Sequence, residues 1–288
     1  TGFRTAIEVA SPKHIELALK YNIDMIWVGA RTVSNPFSVQ ELANALHGND
    51  IPALIKNPIN PDLYLWLGAL ERFYLAGIRK LGAVHRGFYP FEQMKLRNIP
   101  KWEIPIDLKT NVHELPVFCD PSHIAGDAKF IKNISQKALD LNMDGLMIES
   151  HPDPGNALSD AKQQIKPEAL GLLLDSLIFR SVDSNDSKFN NAMESLREKI
   201  DSIDKQIIEL LGQRMDLVEE IGKYKRKNEV TIFQLRRWEK IISSRVSHGI
   251  QSGLSKDFIK NLLSLVHKES IRKQEKVMQN NSQKGSGK

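Results

Sequence analysis

Along roughly the first 180 residues, a short apolar run closing on polar or charged residues is followed by a longer amphipathic stretch, and the pair recurs at βα-unit spacing. Six runs carry the pattern: 5–9 (TAIEV), 25–31 (MIWVGAR), 52–56 (PALIK), 81–86 (LGAVHR), 116–120 (PVFCD) and 145–149 (GLMIE). Each is nearly all apolar until it delivers a charged residue, which predicts parallel strands covered on both faces. Charge at strand C-termini is where a (β/α)8 barrel keeps its active site. A complete barrel usually takes about 250 residues, so six units predict a barrel with two missing. The first run follows Thr1 almost at once, so the absent units are read as the first two, leaving strands three to eight.

After Arg180 the texture changes. Residues 181–188 (SVDSNDSK) are polar and turn-prone, predicting a linker over 181–191 between a barrel domain at 1–180 and a second domain at 192–278. In the second domain Leu196, Ile200, Ile203, Ile207, Leu210, Leu217 and Ile221 recur at steps of three and four, with one step interrupted. That period predicts a helix of about 35 residues starting near Met193. Two more helices are expected at 232–248 and 254–278, separated by a turn at 249–253. The polar segment 279–288 has nothing to bury and is expected to be disordered. The predicted class is α/β plus all-α: an incomplete (β/α)8 TIM barrel followed by a three-helix domain.

Composition narrows the setting. With 288 residues, 41% hydrophobic, the chain has enough apolar material for a large and a small domain. No apolar run approaches the ~20 residues of a membrane helix, and no secretory leader pattern precedes the first run, so a soluble, cytoplasmic protein is expected. The single cysteine, Cys119, excludes an internal disulfide framework and fits a reducing compartment. The net charge is +5, with cations crowded over 223–240. Such a cluster serves nucleic acid, anionic metabolites or solvation alike; without an aromatic stacking platform beside it, nucleic acid is not expected as a partner.

The interruption in the helical stripe is Arg214. A buried guanidinium is costly unless paired, and Lys225 returns to within about 20° of it on the same face. Ser270 and Gln274, spaced i, i+4, project a hydroxyl and an amide from one face of the third helix. These groups suit either an anion pocket or a core ion pair with surface neighbours. In the first domain His123, Glu149 and Asp160 offer an imidazole and two carboxylates on loops after successive strands, a donor set that suits a divalent metal. Arg31, Lys56 and Arg86 end three other strands and converge on the same mouth, as a phosphate site requires.

The segments 196–204 (LREKIDSID), 210–214 (LLGQR), 220–225 (EIGKYK) and 269–274 (ESIRKQ) resemble the all-helical chorismate mutases along the whole second domain. The resemblance implies the Claisen rearrangement of chorismate to prephenate in a helix-swapped homodimer or higher homo-oligomer, with no cofactor. It implies that Arg197, Arg214 and Arg237 hold the substrate carboxylates and that Ser270 assists. Lys225 and Gln274 would meet the ether oxygen, where charge grows as the bond breaks. Arg197 lies about 100° from Arg214 on a straight helix, which agrees with its serving the partner's site. One position departs from the pattern: where the family carries a glutamate after the second-helix arginine, this sequence has Trp238, with Glu239 next.

The segments 26–32 (IWVGART), 54–58 (LIKNP), 83–87 (AVHRG), 120–123 (DPSH) and 149–151 (ESH) resemble the 3-deoxy-D-arabino-heptulosonate 7-phosphate (DAHP) synthases, closest to versions fused to a C-terminal mutase. This implies metal-dependent condensation of phosphoenolpyruvate with erythrose 4-phosphate. Arg31 and Lys56 would bind the phosphoenolpyruvate phosphate beside the Gly29-Ala30 backbone, Arg86 would lie between the two substrates, and Glu8 would lie below the site. His123, Glu149 and Asp160 match three of the family's four metal ligands. The fourth, a cysteine on the first strand, and the second strand's Lys-Pro-Arg-Thr motif are expected to be absent with those strands, so this chain is expected to be a poor synthase. Cys119 is read as a core thiol, and His85 and His151 as packing residues. The competing reading is a mutase regulated by a barrel that binds ligand without turning it over.

Overall fold

The computed structural model describes residues 2–92 and 94–279 and divides into two units, Thr1–Asp183 and Ser184–Lys288. All six apolar runs contribute strands: β1 Ala6–Val9, β2 Met25–Val28, β3 Ala53–Lys56, β4 Leu81–His85, β5 Val117–Cys119 and β6 Gly145–Leu146. They pair in sequence order, every pair parallel, with Lys56 opposite Val84 and His85 opposite Cys119. Short parallel strands need crossovers, and the amphipathic stretches supply them as helices. These are α1 Pro12–Lys20, α2 Ala30–Val33, α3 Pro36–Ala45, α4 Leu63–Leu75, α5 Glu103–Asn111, α6 Pro121–Ala125, α7 Ala128–Asp140 and α8 Pro167–Asp175.

Local chemistry sets where these helices start. Asn35, Asp62, Asp120 and Asp127 each cap a helix by accepting a backbone N–H in its first turn, and proline opens α1, α3, α6 and α8. The core lies between sheet and helices, with Ile26, Val28, Ile55, Ala83 and Val117 of the strands against Trp66, Phe73, Ile124 and Ile131 of the helices.

Three expectations change. The run 25–31 does not continue as strand to Arg31: β2 stops at Val28, Gly29 caps α2, and Arg31 stands in a helical turn. β1 is not covered on both faces; three of its four residues are exposed, because it is an edge of the sheet and pairs only with β2 among the described residues. In the run 145–149 only Gly145 and Leu146 are strand, and the Glu149 amide leaves the ladder to donate to Ser122 Oγ.

The second unit holds α9 Ser187–Lys227, α10 Leu235–Gln251 and α11 Lys256–Gln279. α9 begins before Met193 because Asp186 accepts from the Lys188 and Phe189 amides, so part of the expected linker is helical. Gly249 is not in a turn but inside α10, where a Cβ would collide with Ile259; its lack of a side chain lets α10 and α11 approach. α11 runs beside the C-terminal part of α9 in the same direction, with Arg214 meeting Ser270 and Arg226 donating to the Val277 carbonyl. The predicted stripe of α9 is not buried within the chain: Leu196, Ile200, Ile203, Ile207, Leu210, Leu217 and Ile221 are 48% to 62% exposed. α11 packs on α9 and α10 packs on α11, so the stripe lies on a face of α9 that neither helix covers. Gln279 ends α11, and the expected disordered tail at 280–288 lies outside the described residues. No helix among the described residues is long and apolar enough to cross a membrane.

Candidate functional site

In the sheet unit, polar groups gather at the C-terminal ends of β1 to β6. Lys56, the last residue of β3, is buried and donates to Asp120 Oδ2 at 2.7 Å, with its ammonium 4.3 Å from the centre of the Trp27 ring. Asp120 follows β5 and caps α6 through Oδ1, which accepts from the His123 amide. Its Oδ2 also lies 2.8 Å from His123 Nδ1. Burial would raise the Asp120 carboxyl, but the hydrogen bond from His123 and the charge of Lys56 outweigh it and hold it down at about 2.

His123 Nδ1 is also 3.2 Å from Glu149 Oε1. His123, Glu149 and Asp160 offer ligand atoms that all lie within 4.8 Å of one another. Asp160 sits at φ 53°, a left-handed backbone that a short carboxylate side chain tolerates better than most, and strained residues of this kind concentrate at functional sites. Arg97 pairs with Asp160 at 2.7 Å and donates to Gln163 Oε1 at 2.5 Å, while Gln163 Nε2 donates to Glu149 Oε2 at 3.0 Å.

Arg86 follows β4. Asn57 Oδ1 accepts its amide and Asn98 Oδ1 accepts from its guanidinium at 2.9 Å. Burial lowers its pKa, the charge of Asp120 opposes that, and the charges of Arg97 and Arg31 lower it further. Glu8 is exposed on β1 with Oε1 where a Cβ of residue 29 would stand, so Gly29 provides the room; Ala30 begins α2. The structure thus gathers the cations and the three candidate ligands at one end of the sheet, with Glu8 at its edge. Asp120, Arg97, Asn98 and Gln163 were not singled out from sequence. Of these, Asp120 was legible as the charge that closes its run.

Cys119 is fully buried and burial pushes its thiol up, as expected of a core cysteine. His85 is fully buried between Phe88 and Trp102, and burial pushes it down to about 3, against the nearby Pro100 backbone and the Asp120 charge. His151 caps its own loop, accepting from the Asp153 amide.

In the helical unit, Arg214 on α9 donates to Ser270 Oγ on α11 at 2.7 Å, and burial followed by the charge of Arg245 lowers its pKa. Ser270 donates onward to Val266 O, and Gln274 is buried with Nε2 donating to Ser270 O. Lys225 donates to the Ile232 carbonyl at 2.5 Å, and partial burial lowers its pKa. Arg214, Ser270 and Gln274 therefore meet on one side of the helix set, and Lys225 lies three turns along α9 on the face of Arg214. Arg237 stands exposed in the first turn of α10, and Arg197 is exposed in the N-terminal half of α9, 3.7 Å from Glu194. Sequence reading missed His267: its ring stacks on Trp238, centroids 3.9 Å apart at 16°.

Consecutive parallel βα units with cations and carboxylates at the strand ends define an incomplete (β/α)8 barrel with its site at the mouth, followed here by a three-helix, cation-lined unit. The chain belongs to the DAHP synthetase I family, whose model matches residues 1–178, and residues 196–275 match the model of chorismate mutase type II. The phospho-2-dehydro-3-deoxyheptonate aldolase of Thermotoga maritima is 29% identical over 154 residues, 54% of this chain and 44% of that one. A bifunctional chorismate mutase/prephenate dehydratase of Buchnera aphidicola is 32% identical over 89 residues, 31% of this chain and 23% of the other. A solved structure described as a truncated form of DAHP synthase from Thermotoga maritima superposes with a TM-score of 0.54 at 25% identity, covering 60% of this chain and 64% of that one. The chain spans less than half the length of these curated relatives.

Proposed function

We propose that the helical unit rearranges chorismate to prephenate and that the barrel unit belongs to a metal-dependent synthase joining phosphoenolpyruvate to erythrose 4-phosphate. The observation that carries the mutase reading is the Arg214 to Ser270 contact, with Lys225 and Gln274 on the same wall. A dianion entering that wall finds guanidinium partners for its carboxylates in Arg214 and Arg237. The Lys225 ammonium and the Gln274 amide then face the ether oxygen, where negative charge develops only as the bond breaks. No covalent step and no cofactor are needed. Arg197 is remote from Arg214 in its own chain, and the exposed α9 stripe offers the surface for a second copy that would bring its own Arg197 to this site. The occupant of that stripe is thus a homodimer partner, neither nucleic acid nor membrane.

In the barrel unit Arg31, Lys56 and Arg86 form the phosphate-binding group, beside the Gly29-Ala30 backbone, with Glu8 at its edge. One imidazole and two carboxylates within 4.8 Å of one another fit a divalent ion, which His123, Glu149 and Asp160 would hold. Such an ion, when bound, supplies Lewis-acid polarisation of an aldehyde. The chain's own residues do the rest: Lys56, fixed by Asp120, and Arg86, fixed by Asn98, present charge to the phosphate without reorganising. Buried Lys56, half-buried Arg86 and the convergent ligands favour a catalytic barrel over a purely regulatory one, and the setting is that of a soluble cytoplasmic enzyme.

The test is to incubate the whole chain with chorismate and measure prephenate, and separately to titrate Mn2+ calorimetrically. Prephenate formation without added metal, and Mn2+ binding lost in Glu149→Ala, are expected. A folded chain that leaves chorismate intact refutes the mutase reading; Mn2+ binding that survives Glu149→Ala refutes the ligand set.

A further inference from the structure

His267, Ser270 and Gln274 fall at i, i+3 and i+7 on α11, so one face carries all three. Two atoms of that face, His267 Nε2 and Gln274 Oε1, are buried with no hydrogen-bond partner among the described residues. Leaving a buried polar atom unpaired is costly, and folded proteins rarely do it without a use for the atom. Here two such atoms flank the Ser270 hydroxyl that already receives Arg214.

The imidazole is held rigidly. Trp238 of α10 stacks on one face, 3.9 Å between centroids, and Phe233 leans on it at 5.8 Å and 57°. The contact observed for Trp238 at this wall is the stack that holds the ring. Burial, then the charges of Arg214 and Lys225, lower the His267 pKa from 6.5, so the ring is neutral near pH 7. A neutral imidazole carries one donor and one acceptor nitrogen. Chorismate brings two carboxylates, which the cations satisfy, and one ring hydroxyl, whose O–H can donate to the acceptor nitrogen of the neutral ring.

We infer that His267, positioned by Trp238, is a further substrate-contacting residue that recognises the ring hydroxyl of chorismate. This rests on the mutase reading of the helical unit. The hydroxyl does not change charge during the rearrangement, so the contact is equally strong in ground and transition states and tells on KM rather than kcat.

The experiment uses the whole chain, with chorismate and its analogue lacking the ring hydroxyl, the analogue measured as a competitive inhibitor. His267→Leu should raise KM for chorismate roughly tenfold with kcat within about threefold, and His267→Gln should recover most of the loss. Wild type and His267→Leu should bind the deoxy analogue equally. Trp238→Leu, which frees the ring without removing it, should raise KM by less than His267→Leu. An unchanged KM in His267→Leu overturns the inference. So does an equal loss of affinity for chorismate and the deoxy analogue, which would mark a packing role. A wild-type chain that neither binds nor converts chorismate overturns the mutase reading and this inference together. A working wild type with an indifferent His267 overturns the inference alone.

Discussion

Replacing Asp120 by asparagine should expose how the barrel site is built. The Lys56 and Asp120 side chains are 4% and 1% exposed and 2.7 Å apart, so the substitution leaves an ammonium out of water without its counter-charge. Breaking such a pair from one side costs about 3–5 kcal/mol. Asparagine still caps α6, so that contribution is retained. The Trp27 face 4.3 Å from Lys56 stays in place in both proteins and so does not change the difference. The expected loss is therefore about 3–5 kcal/mol, a factor of roughly 10² to 10⁴ in the opening equilibrium of the sheet. Hydrogen exchange read segment by segment across β3 to β5 measures this without interference from the helical unit. Lys56→Met combined with Asp120→Asn removes both charges and should recover much of the loss, because no uncompensated charge is then left buried. A single substitution that leaves exchange unchanged, or a double that merely adds the two single losses, would refute the reasoning.

Lys225→Ala should cut kcat by ~10² or more with a much smaller rise in KM, since its partner charge exists only in the transition state; steady-state chorismate kinetics read the split, and a change confined to KM contradicts it. His85 is held near 3 when folded and titrates near 6.5 when unfolded, so its contribution is whole above pH 6.5 and drains away as pH falls toward 3. His85→Phe should flatten that acid limb in urea titrations of the sheet unit between pH 7 and 4, and an unchanged limb would assign the loss elsewhere. Ile207→Asp places a charge in the exposed stripe of α9 and should shift sedimentation to the monomer and abolish mutase turnover; a variant sedimenting like the wild type would mean that the stripe is not the contact.

The strands were legible because runs such as 81–86 need no partner to be read: continuous apolar residues closing on charge have one meaning in a parallel sheet. The stripe from Leu196 to Ile221 gave α9 for the same reason, although its start at Ser187 depends on the Asp186 cap, outside the apolar period. The ends were harder. Gly29 turns the chain into α2 after β2, and nothing in the apolar pattern distinguishes that turn from another strand residue. The candidate ligands His123, Glu149 and Asp160 could be named from their motifs, but the groups that hold them could not. Arg97 and Gln163 come from segments without period and meet 66 positions apart in the chain. Trp238 and His267 lie on different helices, and periodicity describes the face of one helix, never the face it meets.

Cys119 gives the sheet a built-in clock. It is the chain's single thiol, fully buried on β5 beside His85, with burial pushing its proton affinity up. Thiolate is the reactive form, so in the closed sheet alkylation is blocked both by access and by protonation. Any reagent that labels this protein must have caught β5 open, and the labelling rate at low reagent is the opening equilibrium multiplied by the rate for a free thiol. One atom thereby reports, without any added probe, how often the strand leading into Asp120 leaves the sheet.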